Sequence, residues 1–214
     1  MMTSGVQLTT NLTDLFSAII TLIPIFVLLK GKDSDRRNRL WLMTFIFFAL
    51  VCLFGFFLHG FTLSDYIKRW MWAFFFPVSC FMLGYFLLAV RYDIEKSGFG
   101  RYYRSVLIMS TVMSILLMIP AYLSHSNAFT FFAVYCLINM IHVIAMLLKA
   151  IRKDRRYCWY LAGIIVFIAG SIFQMCKDIY FVIGSWEFNY DSVYHLFNMV
   201  FVFLVFKGIR VLER

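Results

Sequence analysis

The sequence predicts an all-α fold, a bundle of seven helices that crosses a membrane with its N-terminus outside and its C-terminus in the cytoplasm. Three observations carry that expectation. Of the 214 residues, 63% are hydrophobic and only 14% are charged, with mean hydropathy +0.83; a water-soluble domain of this length needs a far more polar surface. The apolar residues fall into seven runs of roughly 17–25 residues, the length that one bilayer crossing requires. Positive charge collects on alternate connections, the pattern of the positive-inside rule.

Each run is justified by its own boundaries. The first, near 14–30, follows "MMTSGVQLTTN", a tail without Lys or Arg. Such a tail lacks the basic start of a cleavable signal peptide, so the first helix is expected to stay. Lys30, Lys32, Arg36, Arg37 and Arg39 then lead to the second run, near 40–64. The third, near 70–91, is followed by Arg91, Lys96, Arg101 and Arg104, and the fourth lies near 103–123. The fifth, near 129–150, leads into Lys149, Arg152, Lys153, Arg155 and Arg156. The sixth is placed near 158–183, and the seventh, near 189–207, ends among Lys207, Arg210 and Arg214. Of the 20 basic residues only Lys68, Arg69 and Lys177 fall on the opposite face. No long linker, low-complexity tract or repeat interrupts the series, so one domain accounts for residues 1–214.

The net charge of +9 is thus topological. It suits anionic lipid headgroups and gives no support to nucleic-acid binding. Cys52, Cys80, Cys136, Cys158 and Cys176 lie in apolar runs without paired spacing, and read as small core residues rather than as a disulfide or zinc framework. The partner that composition names is the lipid bilayer, and the localisation is an integral, multi-pass one in an undetermined membrane.

The polar residues inside these runs carry the functional signal. His59 lies about five residues from the outer end of the second helix, roughly 7–8 Å deep at 1.5 Å per residue. His195 lies about six residues into the seventh, roughly 9 Å deep, and Asp191 stands one turn above it on the same stripe. Asp178, in the sixth run, is placed about five residues from the outer end, counted along the helix. Four ionisable side chains from three helices therefore share one thin layer. Such residues are costly in a membrane and face the bundle interior or a wet cavity.

Two imidazoles and a carboxylate at one point are a ligand set for zinc, with a fourth position left for water. The D-x-x-x-H spacing lets one helix supply two ligands, as H-E-x-x-H does. The expected ligands are His59, Asp191 and His195, and Asp178 is the candidate proton carrier. Zinc would lower the pKa of water for attack on an ester or amide carbonyl. The plainer explanation is that outer-layer His, Asp and Asn hydrogen-bond neighbouring helices.

Three stretches, "LFGFFLHGFTL", "FQMCKDIYF" and "DSVYHLFNMVFVFLVF", resemble marks of the alkaline ceramidase and adiponectin-receptor superfamily of seven-helix hydrolases. The resemblance spans about a third of the chain, in helices two, six and seven. It implies a zinc ion and its water held by S-x-x-x-H on helix two, an Asp on helix three and H-x-x-x-H at the start of helix seven. On that pattern His59 and His195 take two histidine positions, and Asp191 stands where the first histidine of helix seven would be. The family serine falls at Gly55, and with Pro77 as the reference the family aspartate falls at Phe74. Loss of those two supporting groups weighs against ordinary ceramidase-type amide cleavage.

Other polar residues point less to chemistry. His142 is too deep for the layer and is expected to pair with Asn139 or nearby backbone. Ser79 and Cys80 fit close helix contacts, and Lys177 fits an interfacial position. "NLT" at Asn11–Thr13 is a glycosylation acceptor pattern beside the first helix. Lys207 lies too near the cytoplasmic end for a retinal Schiff base, and "AVRYD" has the receptor D-R-Y order scrambled. No phosphate-binding G-x-x-x-x-G-K-[ST] motif occurs.

Three functions are compatible with these residues. One is a zinc-dependent intramembrane hydrolase of a lipid amide or ester. The second is a non-enzymatic lipid or small-molecule sensor on the same scaffold. The third is a small carrier or assembly factor in which the polar layer is structural.

Overall fold

A computed structural model describes residues 6–30, 35–95 and 99–214; the basic residues Lys32 and Lys96 lie outside that set. Seven helices dominate: α1 (Val6–Lys30), α2 (Arg36–Gly60), α3 (Asp65–Ile94), α4 (Phe99–Leu123), α5 (His125–Ile151), α6 (Cys158–Met175) and α7 (Tyr190–Leu212). All seven contain a stretch long and apolar enough to cross a membrane.

Several boundaries shift from the expected runs by four or five residues, and two differ more. The first helix begins at Val6, so the polar "TTNLTD" stretch belongs to it. Hydroxyl groups make this tolerable in an apolar helix: Thr13 donates to the Thr10 carbonyl (2.8 Å), Ser17 to Thr13 (2.8 Å) and Thr21 to Ser17 (2.6 Å), each shielding its own polar atom against its own backbone. The sixth helix ends at Met175 and does not continue to 183. Residues Tyr180–Ile183 (β1) and Trp186–Asn189 (β2) form an antiparallel hairpin instead. Glycine supplies the reversal, since Gly184 has φ +62°, a conformation that costs other residues strain. Phe181 and Phe188 face each other across the strands and stack at 5.2 Å.

The fold comprises two compact units. One consists of Leu22–Val51 and Leu63–Met146. Its α3 and α4 pack along each other, with Gly84 against the Ser110 side chain and Ser114 Oγ donating to the Pro77 carbonyl at 3.4 Å. The carboxylate of Asp93, at the end of "AVRYD", pairs with Arg37 and accepts from Trp41 Nε1 at 3.1 Å. Trp41 is fully buried and also meets the Phe86 ring edge-on at 5.9 Å. His142 is exposed and its partner is the Tyr102 hydroxyl, at 3.0 Å, whereas Asn139 donates to the Tyr135 carbonyl. The expected Asn139–His142 pairing is therefore replaced by a bond between helices. Ser79 and Cys80 are buried in this unit, and Ser79 donates to the Phe75 carbonyl.

The other unit holds the chain through Thr21, Cys52–Thr62 and Leu147–Arg214. Its centre is the α6–α7 pair, drawn together by small residues. A Cβ on Gly170 would stand 2.6 Å from Phe197 Cβ, and one on Gly208 would stand 2.6 Å from the Tyr160 ring. Close backbone approach of this kind is how helices gain packing without a hydrophobic driving force in lipid. Lys207 lies over the Trp159 ring, 3.7 Å from its centroid.

Candidate functional site

The first helix is inverted relative to a soluble amphipathic one. Thr10, Asn11, Thr13, Asp14, Ser17 and Thr21 are buried, whereas Phe16, Ile19, Ile23 and Phe26 are exposed. In hydrocarbon the apolar face needs no cover and the polar face does. That polar face meets the end of α2 and the start of α7, and both glycines of the α2 end make room for it. A Cβ at Gly55 would lie 2.6–2.7 Å from the Asp14 carboxylate, and one at Gly60 would overlap the Asn11 amide.

Helix α7 is anchored at its start. Asn189 accepts from the Ser192 backbone N–H (2.9 Å), and Ser192 Oγ accepts from the Asn189 N–H (2.8 Å), a reciprocal capping box. Thr10 Oγ1 also donates to Asn189 Oδ1 at 3.0 Å, which ties α1 to the cap. One turn further on, His195 is 6% exposed and both its ring nitrogens are engaged by α1. Nδ1 lies 3.2 Å from Thr13 Oγ1, and Nε2 lies 3.2 Å from Asp14 Oδ1. Because the Thr13 hydroxyl donates to the Thr10 carbonyl, it accepts from Nδ1–H. A single proton then suffices between Nε2 and the Asp14 carboxyl.

The expected ligands come together in part. The rings of His59 and His195 have centroids 6.2 Å apart and planes inclined at 54°. Asp191 interacts electrostatically with both His59 and Asp14, and its Oδ1 accepts from Gln174 Nε2 at 3.1 Å. Among the described residues, no three His, Cys, Asp or Glu side chains form a ready-made metal shell. Asp178 is elsewhere: it lies exposed in the turn after α6, and no hydrogen bond or ion pair joins it to this cluster among the described residues.

Asp14 and its neighbours on α1 are the residues that the sequence reading missed. The available signal was Thr10, Asn11, Asp14, Ser17 and Thr21 at three- and four-residue intervals, a polar stripe on one helix face. Asn11 is fully buried, so the "NLT" pattern does not present a glycosylation site in this fold. Four buried polar atoms of the site have no hydrogen-bond partner among the described residues: both amide atoms of Asn11, Asp14 Oδ2 and Asn198 Oδ1. Unpaired buried polar groups cost folding energy, which makes this cluster the candidate site.

Seven helices long and apolar enough to cross a membrane define the class: an integral, multi-pass membrane protein. Over residues 9–214 the chain matches the model of a family of unknown function, DUF6962, and it belongs to that family. No curated protein matches the chain.

Proposed function

We propose that this protein is a zinc-dependent intramembrane hydrolase of a lipid amide or ester, remotely related to the seven-helix ceramidase and adiponectin-receptor superfamily. The observation that supports this most is the approach of His59 and His195, from separate helices, to a ring-centroid distance of 6.2 Å beside two carboxyl groups. Two imidazoles with carboxylates are a zinc donor set, and the orphaned Asp14 Oδ2 is an acceptor that a cation would satisfy. By donor chemistry, His59 and His195 together with an aspartate would be the residues to hold the metal. Zinc in such a site supplies Lewis acidity for attack of water on a carbonyl. The chain's own residues do the positioning: Thr13 fixes the His195 ring, and Gln174 holds Asp191. Asp178, in its exposed turn, takes no part in this reading. The basic connections support an N-terminus, and with it this site, on the outer face.

Purified protein should carry about one zinc per chain, in line with a three-ligand site, and His59→Ala and His195→Ala should each lose it. Zinc that survives both substitutions defeats the proposal. Hydrolysis of fluorescent lipid amides and esters by the zinc-loaded protein tests the activity.

A second reading, a non-enzymatic lipid or small-molecule sensor, is favoured by the lack of a ready-made three-ligand shell among the described residues and by the unpaired Asn11 amide. It predicts zinc-independent thermal stabilisation by a hydrogen-bonding lipid, with no turnover of the same lipid.

A further inference from the structure

We infer that the hairpin between α6 and α7 is a membrane-interface anchor, whose apolar face rests on the headgroup and upper acyl layer of the bilayer. This anchoring involves neither the zinc site nor catalysis. The strand register defines two faces, because side chains alternate along a strand and directly paired residues share a side. Phe181 pairs with Phe188 and Ile183 with Trp186, whereas Tyr180 pairs with Asn189 and Val182 with Glu187. One face is therefore Phe181, Ile183, Trp186 and Phe188, with the indole N–H as its one polar group. The other carries the Glu187 carboxylate, which interacts with Tyr180, and Asn189, whose Oδ1 accepts from Thr10 Oγ1 of α1.

The apolar face is open: Ile183 is 61% exposed, Trp186 45% and Phe181 40%. A two-stranded hairpin by itself is marginal in water, and a contiguous apolar patch of this kind marks an interaction surface. Its place in the chain names the partner. Helix α6 ends at Met175 and α7 begins at Tyr190, so the strands are held where two spanning helices meet the membrane surface. A four-residue strand reaches only about 13 Å, which keeps the turn near that boundary. The last turns of α6 continue the same surface, since Ile172, Phe173 and Met175 are exposed, and lipid covers such side chains on a spanning helix.

Backbone and aromatic chemistry set the depth. Both strands are edges of a two-stranded sheet, and open sheet edges do not occur in the hydrocarbon region. Trp and Tyr settle at the headgroup level, with the ring body toward the acyl chains and the polar tip toward water. Lys177 and Asp178, exposed just before β1, suit that polar layer as well.

Depth-dependent quenching tests the anchor. The full chain, with Cys158→Ser and Cys176→Ser, is reconstituted in phosphatidylcholine vesicles with a thiol-reactive fluorophore at Phe181→Cys or at Glu187→Cys, and the parent without either added cysteine serves as the blank. Lipid carrying a nitroxide just below the headgroup should quench the dye at 181 at least about threefold more than the dye at 187, and aqueous iodide should show the reverse order, as for a face buried about 5–10 Å into the interface. Iodide that reaches 181 as freely as 187 leaves the hairpin in water and overturns the anchor. Shielding of 181 from both quenchers means that protein, a second copy included, covers the face, and overturns it too. Stronger quenching by a nitroxide at the acyl terminus sinks the interfacial depth. The emission lost in Trp186→Phe reads the same face without a label and decides if the cysteine variants do not fold. That component should be quenched by lipid brominated near the headgroup, and indifference to it overturns the anchor.

Discussion

His195 shows how one buried side chain is specified from both ends. Thr13 addresses Nδ1 and Asp14 addresses Nε2, so the ring has one orientation that satisfies both nitrogens. Thr13→Val keeps the volume and removes the hydroxyl. Interhelical hydrogen bonds in membrane proteins contribute about 0.5–2 kcal/mol, and the thermal stability of this variant in detergent should fall by that order. Asp93 offers the contrasting case of a structural carboxylate. Its side chain is 3% exposed and pairs with Arg37, which is 15% exposed, and with Trp41. Removing one member of a buried pair strands the other, at a cost of about 3–5 kcal/mol. Arg37→Met alone should therefore destabilise strongly, and Arg37→Met with Asp93→Leu should recover part of the loss in the same unfolding assay.

At the level of elements, close approach of α6 and α7 depends on glycine. Gly170 sits against Phe197, and Gly208 sits against Tyr160. Gly170→Ala would force these helices apart, and overpacking of this kind costs about 1–3 kcal/mol. A lowered unfolding temperature checks it; an unchanged one would mean that Phe197 moves aside freely. The hairpin between these helices hangs on a different glycine property. Gly184 faces nothing within 4 Å and has φ +62°, so its substitution is opposed by backbone strain alone. Gly184→Val should cost about 1–2 kcal/mol locally. Hydrogen exchange should then quicken at the amides of residues 180–189 while α6 and α7 keep their protection. The expected helix through 183 failed because "YFVI" is as apolar as a spanning segment. Hydropathy does not register that its β-branched and aromatic residues flank a two-residue glycine turn.

At the scale of the whole molecule, the orientation of the chain can be read with its own cysteines. Cys158 and Cys176 are both free and exposed, at opposite ends of α6. If the C-terminus faces the cytoplasm, as the basic connections imply, a membrane-impermeant maleimide should label Cys176 in intact cells and Cys158 only after permeabilisation. The reverse pattern would invert the topology and move the Asp14–His195 site to the cytoplasmic face. Cys158→Ser and Cys176→Ser variants assign the label to its residue.

Helix number and the multi-pass membrane class were legible in the sequence, because each depends on quantities that vary along a single chain. Hydrophobic run length sets the crossings, but depth counted from a run's end misplaced His59: α2 ends at Gly60, so His59 stands one residue from the helix end and not five. The polar stripe of α1 was present in the sequence too, but its hydroxyl and amide residues lowered the mean hydropathy of the first turns, so they looked like a tail. What α1 does was decided only by tertiary structure. No spacing within one helix reveals that Asp14 lies opposite Gly55 and within 3.2 Å of His195. That meeting depends on how separate helices rotate about their axes, and in lipid the rotation is set by side-chain packing and hydrogen bonding between helices.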